Sequence, residues 1–378
     1  MATLSKGKTF TSGETVVPSK LHELVDNATV TYTSSGDTDN ASLEVSGNKF
    51  QVKDAGVTTA KINDAAVTFA KQQSPQYTGF RNAIINGNFD IWQRGTSFTG
   101  SGSEYGADRW LNARIGSSST MSRQAFTLGQ TDVPNEPTYF CRMAVTSSAA
   151  AGNYSFAQQV IEDVRTFAGQ TVTLSFYAKA DGAKPISTEF VQYFGTGGSP
   201  SASIQAIGTT KTTLSSSWQK ITVTASVPSI SGKTLGSNND HGFMLRIWLD
   251  AGGDFNTGTN TLGQQSGTFD IAQVQIEAGS VATPFERRPI GTELALCQRY
   301  YRIIDELSYN GSAASTANSL GTWALGATMR AQPTVTFTAA NGTAVTAFPK
   351  AQGVVAFSAT STASNVVQLT SLTASAEL

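Results

Sequence analysis

From Gly79 onward, short runs of alternating hydrophobic and polar residues are separated by clusters of Gly, Ser, Asn and Asp. The clearest runs are Ala83-Ile-Ile85, Ser175-Phe-Tyr-Ala178, Ile221-Thr-Val-Thr-Ala225, Phe243-Met-Leu-Arg-Ile-Trp-Leu249 and Phe269-Asp-Ile-Ala-Gln-Val-Gln-Ile276. A period of two sends successive side chains to opposite faces of a strand. Many such strands joined by turns predict an antiparallel β-sandwich over residues 79–288. Pro289-Ile-Gly-Thr292 then starts a helix, Glu293 to Ile303, with Thr292 as its cap, Glu293 near its positive end and Arg299 and Arg302 near its negative end. That helix is expected to connect residues 289–303 to a further β region, 304–378. There Thr334-Val-Thr-Phe-Thr338 and Thr343-Ala-Val-Thr-Ala347 flank Asn341-Gly342, which predicts a hairpin. Val354-Val-Ala-Phe357 and Val366-Val-Gln-Leu369 complete a small β tip domain.

The N-terminal stretch reads differently. Leu21, Leu24 and Val25 share one face of a short helix that follows Pro18, inside an adaptor segment, 1–40. So short a helix is marginal alone, and its stripe needs a partner. Residues 41–78 hold one hairpin, Leu43-Glu-Val45 with Phe50-Gln-Val52. Val57-Thr-Thr-Ala-Lys61 then recurs as Val67-Thr-Phe-Ala-Lys71. One Val or Ile every five positions buries little within a single chain. Three copies wound together would bury them, so we expect a homotrimeric shaft. A flexible linker is the alternative.

Composition sharpens this picture. Charged residues are 14% of the 378, against ~25% in ordinary globular proteins. Ser, Thr, Gly and Ala take their place, which suits strands wetted by hydroxyls better than long helices. A net charge of −1 offers no general attraction for nucleic acid or an anionic membrane. No run is long and apolar enough to span a membrane, and the polar start lacks the core of a signal peptide. The expectation is a protein made in a cytoplasm. Cys141 and Cys297 are far apart, belong to no C-x-x-C pair, and read as two buried thiols.

Candidate chemistry is sparse. His22 and His241 are the two histidines, and no metalloprotease, nucleophile-elbow or phosphate-loop motif occurs. His241 lies in the turn-like Asn238-Asn-Asp-His-Gly242. Glu162 and Asp163 are adjacent and diverge, while Glu189, Asp250, Asp254 and Asp270 are scattered, so no acid pair is assembled for glycoside hydrolysis. No catalytic residues and no enzymatic role are expected. The aromatics say more. Alternation puts Phe243, Leu245, Ile247 and Leu249 inside and Met244, Arg246, Trp248 and Asp250 outside. It likewise puts Leu174, Phe176 and Ala178 inside and Ser175, Tyr177 and Lys179 outside. Trp248 and Tyr177, flanked by Arg246, Lys179, Asp250 and Gln192, would suit a carbohydrate site, where rings stack on sugar C–H groups and polar forks bind hydroxyls. The same face would equally suit cover by a neighbouring chain or loop. Trp110 and Trp218 read as core.

Several segments carry a resemblance. Asn82-Ala-Ile-Ile-Asn-Gly-Asn-Phe-Asp-Ile-Trp92, Thr173-Leu-Ser-Phe-Tyr-Ala-Lys-Ala180, Ser217-Trp-Gln-Lys220 and Phe269-Asp-Ile-Ala-Gln-Val-Gln-Ile-Glu277 resemble the jelly-roll carbohydrate-binding modules appended to cellulases and xylanases. The string Gln275-Ile-Glu-Ala-Gly-Ser-Val-Ala-Thr-Pro-Phe-Glu-Arg-Arg-Pro289, followed by Cys297-Gln-Arg-Tyr-Tyr301, resembles bacteriophage tail-fibre and other virion proteins. Ser42 to Lys71 resembles phage fibre shafts. The resemblance implies a mainly β virion fibre: N-terminal adaptor, trimeric shaft, central jelly roll, short helix and small β tip. It would be made in the host cytoplasm, form part of the virion and be released by lysis, contact other virion proteins through its N-terminus, and present its C-terminal domains to a host-surface glycan. A purely architectural head or neck fibre is the alternative, with a polysaccharide depolymerase behind it. No cofactor is required, but the resemblance implies a structural calcium with Asp90 and Asp270 in the matching acidic positions.

Overall fold

A computed structural model describes residues 3–5, 7, 9–27, 29–31, 43–46, 49–52, 57 and 80–378, except 101, 313–318, 341–342 and 362–365. The chain divides into two units, Met1–Tyr77 and Thr78–Leu378.

In the first unit, β1 (Thr3–Ser5) precedes α1 (Pro18–Asp26) and pairs antiparallel with β2 (Thr29–Thr31). Pro18 opens α1, where its missing N–H costs nothing. Of the expected apolar stripe, Leu21 is 48% and Val25 69% exposed, while Leu24 is half-buried. The next two strands, β3 (Leu43–Ser46) and β4 (Lys49–Val52), pair with Leu43 opposite Val52 and Val45 opposite Phe50, the hairpin that the alternation predicts. The repeat from Val57 to Lys71 lies outside the described residues, apart from Val57 itself.

The second unit begins with an irregular segment, 80–95, where alternation had predicted a strand at Ala83–Ile85. Asparagine side chains explain the difference, because they compete for the backbone groups that a ladder would use. Asn86 donates to the Ile91 and Asp108 carbonyls and accepts from the Ile91 N–H, while Asn82 accepts from Ile84 and Ile276. At Gly87 even a Cβ would collide with the Val274 carbonyl, so the segment lies flush against the sheet beneath it.

Twelve strands follow: β5 (Ser97–Gly100), β6 (Glu104–Tyr105), β7 (Leu111–Ile115), β8 (Ser118–Ala125), β9 (Tyr139–Thr146), β10 (Tyr154–Glu162), β11 (Thr171–Ala180), β12 (Lys184–Tyr193), β13 (Ile204–Leu214), β14 (Gln219–Ser226), β15 (Gly242–Ala251) and β16 (Gly267–Ala278). They form two antiparallel six-stranded sheets. The first has the order β13-β12-β15-β10-β7-β6 and the second β14-β11-β16-β9-β8-β5. From β9 to β16 the chain passes repeatedly between the sheets, a jelly-roll sandwich. Its core is built as alternation requires. Leu174, Phe176 and Ala178 of β11 and Phe243, Leu245, Ile247 and Leu249 of β15 are all fully buried in one cluster. Trp110 belongs to it, donating its indole N–H to the Asn86 carbonyl. Cys141 and Cys297 are buried free thiols, and burial pushes both of their pKa values up.

A one-turn helix, α2 (Asn256–Thr259), lies between β15 and β16, and α3 (Ile290–Gln298) follows β16. The expected helix runs on to Ile303, but α3 ends five residues earlier and β17 (Tyr301–Ser312) begins in the Tyr-Tyr-Arg-Ile-Ile stretch, whose aromatic and β-branched residues favour a strand. Pro289 occupies the N-cap in place of Thr292. Five further strands, β18 (Ser319–Ala324), β19 (Thr334–Ala340), β20 (Thr343–Ala351), β21 (Val354–Ser361) and β22 (Val366–Ser375), complete two three-stranded sheets, β17-β22-β19 and β18-β21-β20. The Asn341-Gly342 turn lies outside the described residues, and the strands on either side of it, β19 and β20, belong to different sheets instead of pairing as the expected hairpin. Leu325, Met329, Val355, Leu369 and Leu372 form a separate small core. No helix among the described residues is long and apolar enough to cross a membrane.

Charged groups clasp the tip to the sandwich. Arg109, 1% exposed, pairs with Glu377 and lies 3.5 Å from the Tyr300 ring centre. Arg94 bonds Glu377 at 2.9 Å and stacks on Tyr301 at 3.5 Å. The Tyr105 hydroxyl donates to the Leu378 carbonyl, and burial first of all pushes its pKa to about 12. Arg299 forks onto Glu162, which also accepts from the Tyr300 hydroxyl at 2.9 Å. Burial raises the Glu162 pKa, but these bonds and the Arg299 charge outweigh it and hold the carboxyl below its ordinary 4.5. A depressed acid stabilises the fold above its unfolded pKa and loses that contribution as pH falls through its folded one. The stability gap between the native chain and Glu162→Gln is therefore expected near neutrality and should close on acidification well below 4.5. Denaturation midpoints across that range check it; a gap that persists in acid contradicts the assignment.

Candidate functional site

The residues expected to form one carbohydrate face are divided among three places. On the outer face of the first sheet, Trp248 is 2% exposed. It packs against Phe156 at 4.5 Å, Tyr154 at 5.9 Å and Phe255 at 5.3 Å between ring centres. The alternation placed it on the correct face, but the chain covers that face. The connection between β15 and β16, with α2, Phe255 and Leu262, lies over it. Gly258 lets the backbone of this cover sit directly against Glu189. Glu189, itself buried, accepts from the Trp248 indole at 3.0 Å, from the Ala206 N–H at 2.9 Å and from Arg246 at 3.5 Å. Arg246 also donates to Gln158 at 3.0 Å. Asp250 is fully buried and accepts from Ser117, Ser147 and the Gln265 N–H at 2.6–2.8 Å, so it ties loops together. Gln192 follows Phe190 on the inward face of β12 and donates to the Pro228 carbonyl. Trp248, Asp250 and Gln192 therefore present nothing to solvent.

Tyr177 and Lys179 lie on the second sheet, on the far side of the sandwich from Trp248. Both are half-exposed on the outer face of β11, with Lys220 of β14 directly opposite Tyr177 and Asp270 of β16 opposite Lys179. The Lys179 ammonium is 3.8 Å from Asp270 and 5.2 Å from the centre of the Trp218 ring. Trp218 is half-buried outside the sheet, not in the core. It packs on Phe126 at 5.2 Å and edge-on to Phe140 at 5.4 Å. The parity of the strand could have shown this: Ile221, Val223 and Ala225 point inward, so Lys220 and Trp218 share the outer side. Arg142 of β9 forks onto Asp270 at 2.7 and 2.9 Å.

Beside Tyr177 lies a cleft of about 330 Å³, lined by Asn135, Ser175, Tyr177, Lys220, Gln273 and Thr283. A β-bulge forms one wall. The register between β11 and β16 shifts at Ser175–Tyr177, and Gln273 takes a left-handed φ of 51° there. That re-aims Gln273 to donate to the Pro134 carbonyl at 2.7 Å, which holds the 134–135 rim in place. The cleft thus combines a phenol, an amide, a hydroxyl and an ammonium, the donor and acceptor set that grips a sugar ring. Burial raises the Tyr177 pKa, so the phenol keeps its proton and can donate.

Asp90 and Asp270 do not fit a calcium site. Both oxygens of Asp270 are taken by Arg142, with Lys179 nearby. Asp90 instead accepts from Asn88 and lines a separate groove with Tyr139, Arg287 and Ile290. The described residues hold no group of three or more His, Cys, Asp or Glu side chains placed for a metal.

No protein-family model matches the chain, and no curated protein matches it. Solved structures do. A carbohydrate-binding module of family 4 matches at 16% identity and a TM-score of 0.29, covering 52% of this chain and 99% of its own. A family 11 module from a Clostridium thermocellum cellulosomal cellulase matches at 12% identity and a TM-score of 0.29, covering 53% and 97%. The enzymatically active domain of tailspike protein 4 from bacteriophage CBA120 matches at 11% identity and a TM-score of 0.29, covering 53% of this chain and 22% of its own. The strand order described above, not these likenesses, establishes the jelly-roll fold of a mainly β chain.

Proposed function

We propose that the chain is a non-enzymatic, homotrimeric fibre protein of a bacteriophage particle. Its jelly roll would bind a host-surface glycan through the outer face of the second sheet, and its N-terminus would contact other virion proteins. The observation that carries the glycan reading is a cleft of about 330 Å³ lined by Tyr177 and Lys220, with Lys179 and the half-exposed Trp218 on the same outer face. The fibre reading is supported by the charge-poor, hydroxyl-rich composition and by the exposed Leu21–Val25 stripe of α1, which suits burial between copies or against a larger particle.

Two measurements test it. Sedimentation of the full chain should give a trimer; a stably folded monomer at micromolar concentration would refute the fibre. Fluorescently labelled protein should adsorb to host cells, and the double variant Tyr177→Ala, Trp218→Ala should lose most of that adsorption, by roughly a hundredfold if two stacking contacts of ~1–2 kcal/mol each are removed. Undiminished adsorption by the folded variant would leave an architectural fibre as the better account.

A further inference from the structure

We infer that the ligand of this face is an anionic saccharide, one that carries carboxylate or phosphate groups. The inference rests on the glycan reading of the same face. The chain as a whole has a net charge of −1, yet this face is cationic. Arg142, Lys179 and Lys220 stand on it and Lys184 at its end, against three carboxylates, Asp181, Asp270 and Glu277.

The arrangement of these charges matters more than their number. Asp270 is almost wholly buried and already neutralised, by the two Arg142 bonds and by Lys179 at 3.8 Å. Asp181 lies beyond Lys179, accepts from the Thr268 N–H at 2.9 Å, and faces Lys184 at 4.0 Å. Glu277 is 2% exposed, accepts from Gln275 and from the Thr283 N–H, both at 2.8 Å, and lies 4.0 Å from Arg81. All three carboxylates are therefore spent within the protein. Lys220 is different. It is exposed, lines the cleft, sits opposite Tyr177, and has no hydrogen bond or ion pair among the described residues. An unpaired ammonium beside an aromatic ring and two neutral polar walls selects a sugar with a negative group within reach of that ring. A neutral sugar would leave the excess positive charge uncompensated. Salt weakens an attraction of this kind at an exposed site.

Binding by calorimetry to four probes tests this: an oligogalacturonate, its carboxyl-reduced form, a phosphorylated oligomannose and its phosphatase-treated form. At least one acidic probe should bind about tenfold or more tightly than its neutral counterpart at low salt, a difference of about 1.4 kcal/mol. The acidic member identifies the source of the charge. Lys220→Ala and Lys220→Gln should both bring that ratio towards one, while Lys233→Ala, at an ammonium that sits over the Phe194 ring and does not line the cleft, should leave it as it was. Equal binding of acidic and neutral members overturns the inference and leaves the glycan reading standing. Failure of all four to bind overturns both.

Discussion

Replacing Trp248 with alanine is expected to cost about 3–5 kcal/mol of stability, the usual range for emptying a large buried aromatic site, and to leave glycan binding by the folded protein unchanged. Tyr177→Ala should do the reverse, costing about 1 kcal/mol or less and removing most of the binding. Trp248 sits beneath its own loop with its indole bonded to buried Glu189. Its loss opens a cavity among Phe156, Tyr154 and Phe255 and deprives Glu189 of a donor. Tyr177 is open to the cleft on the opposite sheet. Denaturant midpoints and calorimetric binding on both variants settle the matter. Binding that disappears in a folded Trp248→Ala protein would move the site to the first sheet.

The second large effect lies at the clasp. Glu377→Gln should destabilise the chain by about 3–5 kcal/mol, because removing one partner of a buried ion pair leaves the other charge uncompensated. Arg109 is almost fully buried, and its remaining partners, the Val160 carbonyl and the Tyr300 ring, carry no formal charge. Arg94, 2.9 Å from the same carboxylate, would lose its charged partner as well. Scanning calorimetry should show an earlier transition in which the tip separates from the sandwich. An unshifted transition would mean that the tip is held by its apolar packing instead.

The alternation of β11 and β15 was fully legible, since burying one face of a strand imposes a strict period of two. The inward residues of both strands are those expected, down to Ala178 and Leu249. Periodicity names a face but not the sheet to which the strand belongs. Alternation alone therefore groups Tyr177 with Trp248, whereas the strand order of the two six-stranded sheets places them on opposite sides. Nor could it show what covers a face. The segment that seals Trp248 is rich in Gly, Asn and Thr and reads as an ordinary loop, with Phe255 and Leu262 as its few apolar anchors. Trp218 reads as core because it stands at the start of a strand, yet its parity with Lys220 points it outward. The cleft itself depends on the bulge at Gln273 and on a rim from 134–135, contacts made across more than a hundred residues of chain. The strands expected to pair with each other around residues 341–342 instead pair elsewhere, β19 with β22 and β20 with β21.

A structure of the protein with a bound oligosaccharide tests the glycan face most directly. A sugar ring resting on Tyr177 or Trp218, with Lys220 and Gln273 within hydrogen-bonding reach of it, is the expected result. A sugar bound on the first sheet, with the loop lifted away from Trp248, would contradict it.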